Sequence, residues 1–197
     1  MTIVIPFGEP SQGASRLPQL AATLDWARRS RPALKLLVAE AAPRPVAGDL
    51  CREHGVAHVF VQTPPGPFHK TRALNHGVRV ADTSHVLFLD ADLLLPPDFV
   101  ADALLEAERR GLDGLTPWRT ILFLSEADSL AVMRGERQPQ ACQPIARFTS
   151  TGTNRAGAVL VSSRLIAQFG GMIEPSRDGA ARTTASLQSW NVLAEPV

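Results

Sequence analysis

The sequence has no excess of either charge and no long hydrophobic run. Its 20 lysines and arginines nearly balance its 19 aspartates and glutamates, for a formal net charge of +1. That balance gives no reason to expect nucleic acid or a membrane surface as a partner. No apolar run approaches the roughly 20 residues of a spanning helix, and Thr2–Phe7 lacks the basic region and cleavage site of a signal peptide. We therefore expect a cytoplasmic protein without a transmembrane segment.

Cysteine is also scarce, with only Cys51 and Cys142 present. Their spacing matches no metal-ligand pattern, so two reduced thiols are favoured over a disulfide. Hydrophobic residues make up 45% of the 197 positions and charged residues 20%, which is ordinary for a globular protein. The chain is long enough to bury one sizeable core.

Strand-like and helix-like patterns alternate along the first 110 residues. Strands are predicted at 2–7, 34–39, 58–62 and 86–89, and helices at 16–29, 50–54, 70–80 and 97–110. This alternation is typical of an α/β fold with a mostly parallel central sheet and right-handed crossovers.

The second half of the chain is less regular. Its pattern predicts, in order, a strand or strand pair (115–124), a helix with Ser125 as N-cap, a mobile loop (135–153), a strand (156–161) and a helix (164–169). Ser163 is expected to cap the last helix, and Gly170-Gly171 to end it. The segment 176–189 has neither strand nor helix periodicity.

A buried strand followed by two carboxylates is the strongest functional signal. The apolar run Val86–Leu89 ends abruptly at Asp90 and Asp92. Charges are costly to bury, so this pair belongs at the carboxyl edge of the sheet, where open α/β sheets bind ligands. Two oxygen donors suit Mg²⁺ or Mn²⁺ carrying the phosphates of a substrate. A D-x-D pattern by itself is short, and it is also compatible with a strand end followed by a turn.

Five segments in this order resemble family 2 glycosyltransferases, which have the A-type nucleotide-diphospho-sugar transferase fold. They are Ile3-Val-Ile-Pro6, Phe68-His-Lys-Thr-Arg-Ala-Leu-Asn75-His-Gly77, Asp90-Ala-Asp92, Pro117-Trp118 with Phe123-Leu-Ser-Glu126, and Gly157-Ala-Val-Leu with Gly170-Gly-Met-Ile-Glu174. The resemblance covers residues 2–174 and is nearest to the branch of chondroitin-polymerase-like and galactosyltransferase C-terminal-type enzymes. It implies a single Rossmann-like transferase domain over residues 1–174.

The resemblance also implies a cofactor and a set of contacts. Mn²⁺ or Mg²⁺ held by Asp90 and Asp92 would bridge the diphosphate of a UDP- or GDP-sugar and neutralise the leaving group. In the family, the position of Asp92 usually ligates the metal directly, and that of Asp90 contacts the ribose or reaches the metal through water. The implied nucleotide-sugar contacts are Pro6, Phe7, Arg16, Glu40, Lys70, Arg72, Asn75 and Asp90.

Simpler interpretations exist for several of these residues. Arg16 also fits a solvated helix start, and Glu40 a solvent-facing cap after a strand. Either Lys70 or Arg72 also fits a surface charge on an amphipathic helix. Two neighbouring histidines match no metal-ligand pattern and receive no role: His69 and His76.

The catalytic base of the family is missing. Inverting transfer needs a carboxylate that takes a proton from the acceptor hydroxyl. In this branch the base lies in a Gly-Trp-Gly-Gly-Glu-Asp segment shortly after the position of Glu174, and no such segment occurs here. Asp178 is the nearest carboxylate, and its surroundings do not fit.

A shifted reading frame accounts for this departure. Read one base out of frame, the codons for residues 177–185 can spell Gly-Trp-Gly-Gly-Glu-Asp-Asp, given suitable third bases, at the spacing that the family needs. We therefore expect a frameshift near Pro175 or Ser176, natural or a sequencing error, and an aberrant or poorly ordered tail over 175–197. The alternative is a genuinely divergent C-terminus.

Two functional hypotheses follow. The first is a metal-dependent, inverting glycosyltransferase that acts on a glycan or glycoconjugate acceptor, as in polysaccharide biosynthesis. The second is a non-catalytic nucleotide-sugar-binding remnant without the base. A nucleotidyltransferase is disfavoured, because no glycine-rich signature with arginine and lysine follows the first strand.

Overall fold

The computed structural model describes residues 1–10, 13–30, 34–96, 98–149, 157–171 and 190–196. Within these ranges the strands are β1 (Thr2–Phe7), β2 (Lys35–Ala42), β3 (Ala57–Gln62), β4 (His85–Leu89), β5 (Gly114–Leu115), β6 (Trp118–Leu124), β7 (Ala146–Thr149), β8 (Ala158–Ser162) and β9 (Trp190–Pro196). The helices are α1 (Leu17–Ser30), α2 (Gly48–Glu53), α3 (Lys70–Val80), α4 (Phe99–Arg110), α5 (Glu126–Met133) and α6 (Ser163–Phe169), with a short 3-10 helix at Pro139–Ala141.

The central sheet has six strands in the order β3-β2-β1-β4-β8-β5. The first four run parallel, and β8 pairs antiparallel with β4. The predicted α/β fold with a mostly parallel sheet is therefore confirmed. Since all four parallel strands point the same way, the residues that follow β1, β2 and β4 meet at one edge of the sheet.

Helices cover both faces of this sheet. On one face, alternate β4 residues Leu87 and Leu89 pack in a cluster with residues of α1 and α4. On the other face, Val86 and Phe88 pack with residues of α3. All four are at most 6% exposed. The predicted strand with both faces buried is confirmed. Successive residues point to opposite faces, and because both faces are buried, every position is apolar.

Close packing of α3 fixes where its first residue lies. A Cβ atom on Gly77 would lie 2.6 Å from Val4 Cγ1 and 3.0 Å from Ala39 Cβ, so only glycine lets this helix approach β1 and β2 so closely. Because α3 connects β3 to the parallel strand β4, it runs back across the sheet, and its N-terminus at Lys70 is at the carboxyl edge.

A second, three-stranded sheet has the order β7-β6-β9. The prediction of a mobile loop over 135–153 was wrong for part of its length, since β7 and the 3-10 helix lie within it. Strand β7 is only four residues long and all four are exposed, so the pattern is too short to distinguish from a loop. The strand β9, which pairs with β6, lies in the segment predicted to be a tail. Residues 172–189, including the aperiodic segment 176–189, lie outside the described residues.

The helix caps in the structure differ only slightly from the predicted ones. Ser125 caps α5 as predicted, accepting a hydrogen bond from Asp128 N–H at 3.1 Å. The cap of α6 is Ser162 rather than Ser163: the Ser162 hydroxyl accepts from Leu165 N–H at 3.1 Å, and the Ser163 hydroxyl donates to a carbonyl instead. Gly170 ends α6 with φ of 69°, as predicted. No described helix is long and apolar enough to cross a membrane.

Candidate functional site

Asp90 directly follows β4 and is held in place by Gly157, the residue before β8. The Asp90 backbone N–H donates to the Gly157 carbonyl at 2.8 Å. In return, the Gly157 N–H donates to Asp90 Oδ2 at 3.2 Å. These reciprocal bonds fix both the backbone and the carboxylate of Asp90 at the carboxyl edge of the sheet.

The other oxygen of Asp90 is paired with a lysine. Lys70, the first residue of α3, donates from Nζ to Asp90 Oδ1. The Lys70 side chain is 44% exposed and the Asp90 side chain 27%. Each oxygen of Asp90 therefore has a hydrogen-bond donor, and one of the two donors is charged and accessible to solvent.

Asp92 is paired with an arginine from the other side of the site. Arg16 Nη2 lies 3.0 Å from Asp92 Oδ2, with 35% and 23% of the two side chains exposed. Burial raises the pKa of Asp92 above its usual value; Arg16 counteracts this only in part, and the nearby charge of Asp90 adds to the rise. Asp92 is thus a poorly hydrated carboxylate beside a like charge, an arrangement that favours cations.

Glu9 positions the arginine. Its two carboxylate oxygens accept hydrogen bonds from the Arg16 backbone N–H at 3.0 Å and the Ser15 hydroxyl at 2.6 Å. This contact fixes the backbone where α1 begins and leaves the guanidinium of Arg16 directed at Asp92. Sequence reasoning assigned no role to Glu9, and its proximity in sequence to Arg16 was the one available signal.

Helix α1 also holds the loop that carries Asp92. The buried Thr23 hydroxyl donates to the Ala91 carbonyl at 2.9 Å. One turn further, the Trp26 indole N–H donates to the Leu95 carbonyl. Both contacts satisfy carbonyls that have left the sheet, and both fix the path of the chain around Asp92. Neither side chain has a sequence signature for this role, because the partners are 68 and 69 positions away.

The end of β1 is buried rather than open. Phe7 is 1% exposed and packs in the core cluster beneath α1. After it comes Gly8, where an added Cβ atom would lie 2.3 Å from Phe68 Cδ2. Pro6, Phe7 and Gly8 are all buried. Phe68, from the loop before α3, therefore lies directly over the end of β1.

Glu40 is completely buried, at 0% exposure. Its carboxylate accepts hydrogen bonds from the backbone N–H groups of Val46 (2.8 Å) and Ala47 (3.2 Å), and it lies 2.9 Å from His58 Nε2. The interpretation of Glu40 as a solvent-facing cap is wrong, because β2 continues to Ala42 and encloses this position in the sheet. The carboxylate holds the loop that follows β2.

Asn75 and Arg72 lie further along α3. Asn75 is 8% exposed. A Cβ atom added to Gly171 would lie 2.9 Å from Asn75 Oδ1, so the Gly170-Gly171 turn after α6 rests on the Asn75 amide. Arg72 is half-buried on the same helix. The structure thus groups Arg16 and Lys70 with Asp92 and Asp90. It places Asn75 against the Gly170-Gly171 turn and encloses Phe7 and Glu40 in the core.

Asp90 and Asp92 could hold a divalent cation only if other ligands complete its coordination shell. No group of three or more histidine, cysteine, aspartate or glutamate side chains that could hold a metal occurs in the described part of the chain. Asp90 and Asp92 offer the carboxylate oxygens that Mg²⁺ and Mn²⁺ prefer, but too few of them for a complete shell. The site therefore fits a metal whose remaining ligands are water and the phosphate oxygens of a substrate.

Two solved structures share this fold. The bifunctional IspDF from Campylobacter jejuni matches with a TM-score of 0.52 and 12% identity, over 90% of this chain and 45% of that one. A CMP:2-keto-3-deoxy-manno-octonic acid synthetase complexed with CTP matches with a TM-score of 0.50 and 13% identity, over 88% of this chain and 78% of that one. At these identities the likeness shows the fold.

A third similar structure is the glucosyl-3-phosphoglycerate synthase of Mycobacterium tuberculosis in complex with Mn²⁺, UDP and phosphoglyceric acid. Its TM-score is 0.46 at 18% identity, over 84% of this chain and 56% of that one. The chain thus spans about half the length of this structure and of IspDF.

Sequence comparison gives a more specific result than structural likeness. A search of curated proteins finds no match. The family model described as glycosyl transferase family 2 matches residues 19–156, a stretch that contains Asp90, Asp92 and Lys70. Because that match spans more than half of the sequence, the chain belongs to glycosyl transferase family 2.

Proposed function

We propose that this chain is a metal-dependent, inverting glycosyltransferase that moves a sugar from a UDP- or GDP-type donor to a glycan or glycoconjugate acceptor. Family membership supports a nucleotide-sugar transferase. The observation that carries the metal-dependent part is the Asp90–Asp92 pair, at the carboxyl edge of the parallel sheet and flanked by two basic side chains. Carboxylates suit the metal, and arginine and lysine suit the diphosphate.

Within this proposal Asp92 ligates Mn²⁺ or Mg²⁺ directly, and Asp90 reaches it through water or contacts the ribose. The bound metal supplies Lewis-acid stabilisation of the diphosphate leaving group. Arg16 and Lys70 donate hydrogen bonds to phosphate oxygens, and Arg72 adds positive charge from α3. Arg16 lies just before α1, Lys70 and Arg72 lie on α3, and the two aspartates follow β4. Together these side chains orient the donor at the edge of the sheet.

The nucleoside is proposed to lie beside the end of β1, against Phe68, which covers that end. Pro6 and Phe7 support this region from below, since both are buried. Glu40 contributes indirectly: it fixes the N–H groups of Val46 and Ala47 and thereby shapes the loop beside the base. Asn75 contributes by supporting the Gly170-Gly171 turn.

One sequence feature favours a second candidate, a nucleotide-sugar-binding remnant that does not turn over. Inverting transfer requires a base near the acceptor hydroxyl, and the Gly-Trp-Gly-Gly-Glu-Asp segment that carries it in the resembling branch is absent from the chain. Detecting sugar transfer separates the two candidates, whereas nucleotide binding alone is common to both.

Calorimetry of UDP and GDP with and without Mn²⁺ tests the shared part of the proposal. We expect tight binding only with metal, because Arg16 and Lys70 are paired with Asp92 and Asp90 and become available to the diphosphate when a metal takes their place. Removal of the metal with EDTA should reverse the binding. Asp92→Asn should abolish the metal-dependent component. The matched control is Asp82→Asn, which neutralises an exposed aspartate paired with Lys35, and it should bind like the wild type. Unchanged affinity in Asp92→Asn would refute the assignment.

A further inference from the structure

Each carboxylate of the pair is already neutralised by a basic side chain of the protein itself. Arg16 Nη2 lies 3.0 Å from Asp92 Oδ2, and Lys70 Nζ contacts Asp90 Oδ1. The partners are 76 and 20 positions apart in the sequence. One oxygen of each carboxylate is therefore paired with a basic side chain of the protein, and these pairs flank the position proposed for the metal.

This arrangement disfavours a metal ion that arrives alone. A free divalent cation competes with Arg16 and Lys70 for the carboxylates, and both side chains repel it from a few ångströms away. A metal that arrives with a diphosphate meets the opposite situation. Its phosphate oxygens accept the hydrogen bonds that Arg16 and Lys70 give up, so the positive charges stay compensated.

Both basic side chains are able to make this exchange without backbone movement. They are partly exposed, at 35% for Arg16 and 44% for Lys70, and each ends a flexible stem. The backbone of Arg16 is held separately by Glu9. Asp90 also stays in place when Lys70 leaves, because Gly157 holds its other oxygen.

We infer that Arg16 and Lys70 are specificity-determining residues that select the metal–nucleoside diphosphate complex over free metal. In the nucleotide-free protein they occupy Asp92 and Asp90, and on binding they transfer to the diphosphate. The inference rests on the proposed function, because it requires that the site take a nucleoside diphosphate. It adds that metal and nucleotide enter together.

The test measures binding of Mn²⁺ alone, by calorimetry and by the loss of the free-Mn²⁺ electron paramagnetic resonance signal. Arg16→Gln and Lys70→Gln should each bind Mn²⁺ alone about tenfold more tightly than the wild type, since a charge close to the metal is removed. The same variants should bind UDP with Mn²⁺ more weakly, because the phosphates lose a donor. Arg16→Lys retains the charge and should leave the Mn²⁺ affinity near that of the wild type.

Two control variants each remove a basic side chain at the edge of the sheet opposite the candidate site. Arg164→Gln removes the partner of Asp113, and Lys35→Gln removes the partner of Asp82. Both should leave both affinities unchanged. Thermal melts of all variants establish that each is folded before binding is measured.

A purely structural role for Arg16 would not produce tighter binding of Mn²⁺ alone together with weaker binding of UDP with Mn²⁺. Unchanged or weaker Mn²⁺ binding in Arg16→Gln and Lys70→Gln overturns the inference, and it leaves the proposed function intact if the wild type still binds UDP with Mn²⁺. A wild type that binds Mn²⁺ equally well with and without UDP also overturns it. Failure of the wild type to bind UDP or GDP under any condition overturns the proposed function as well.

Discussion

Gly157 and Asp90 exchange two hydrogen bonds across the junction between β4 and β8, from backbone to backbone at 2.8 Å and from backbone to carboxylate at 3.2 Å. Gly157 has φ of +87°, and a Cβ atom there would lie 3.1 Å from Ile121 Cδ1 and 3.2 Å from Leu93 Cδ2. Any other residue would be strained and crowded at this point, and the strain would reach the carboxylate.

Gly157→Ala should therefore reduce both stability and metal-dependent UDP binding. The positive φ alone costs roughly 1–2 kcal/mol, and the displaced N–H releases the Asp90 carboxylate. Gly111→Ala is the control: φ is +61° there, with no atom within 4 Å of the added Cβ atom. Chemical denaturation should show a loss in both variants, and calorimetry should show weaker binding in Gly157→Ala alone. Equal binding in the two variants would contradict a positioning role for Gly157.

Gly77→Ala should destabilise the protein by overpacking, because the new methyl group would lie 2.6 Å from Val4 Cγ1. Overpacking of a close contact typically costs about 1–3 kcal/mol. Gly48→Ala, whose nearest contact would be 3.6 Å away, should change the free energy of unfolding much less. If denaturant midpoints of the two variants coincide, α3 does not depend on this close approach.

Glu40→Ala should destabilise the protein by roughly 1–3 kcal/mol, because it leaves the buried backbone N–H of Ala47 and the partly buried one of Val46 without their acceptor. The exposed Glu53 provides the comparison: Glu53→Ala should change stability by about 0.5 kcal/mol or less. Urea unfolding monitors both variants. A stable Glu40→Ala protein that no longer binds UDP would instead assign this carboxylate to direct contact with the nucleotide.

Acid should weaken the contact between Asp113 and Arg164. Hydrogen bonds from Arg164 and, to a smaller extent, from Ser162 hold the pKa of Asp113 below its usual value. A lowered folded-state pKa stabilises the protein above the unfolded pKa of about 4, and this stabilisation is lost as the pH falls through the lower folded value. Asp113→Asn should therefore destabilise at pH 7 and lose most of this difference at low pH. Unfolding curves at several pH values test the trend, and a stability difference between Asp113→Asn and the wild type that stays constant with pH would contradict it.

Restoring the shifted frame should increase sugar transfer. A version of the chain that reads Gly-Trp-Gly-Gly-Glu-Asp-Asp after Glu174 regains the proposed general base, and loss of such a base typically costs about 10² to 10⁴ in rate. Binding of UDP should change less, since the proposed metal and nucleotide contacts all precede residue 175. Turnover and affinity are compared on the same donor and acceptor. Equal turnover would show that the base lies elsewhere and that the C-terminus is authentic.

Local pattern in the sequence was sufficient for most of the fold. The helix Lys70–Val80 and the buried strand that ends before Asp90 were both predictable, because amphipathic and continuously apolar runs reflect one-sided and two-sided burial. Strand β7 was not predictable, since a pattern of four exposed residues is too short to distinguish from a loop. The Ser163 cap was misplaced by one residue, a difference that hydrogen-bond geometry alone decides.

The candidate site divides in the same way. The sequence by itself determined the residue types and the motif order: two carboxylates after a buried strand, a basic helix start and a family resemblance. Tertiary structure decided the partners, because the Arg16–Asp92 pair joins residues 76 positions apart and the Gly157–Asp90 exchange joins residues 67 apart. It also decided that Glu40 is enclosed, since the burial of a strand residue depends on what packs over it. The sequence specifies the chemical type of each side chain, whereas the distances between side chains and their burial are determined only when the chain folds.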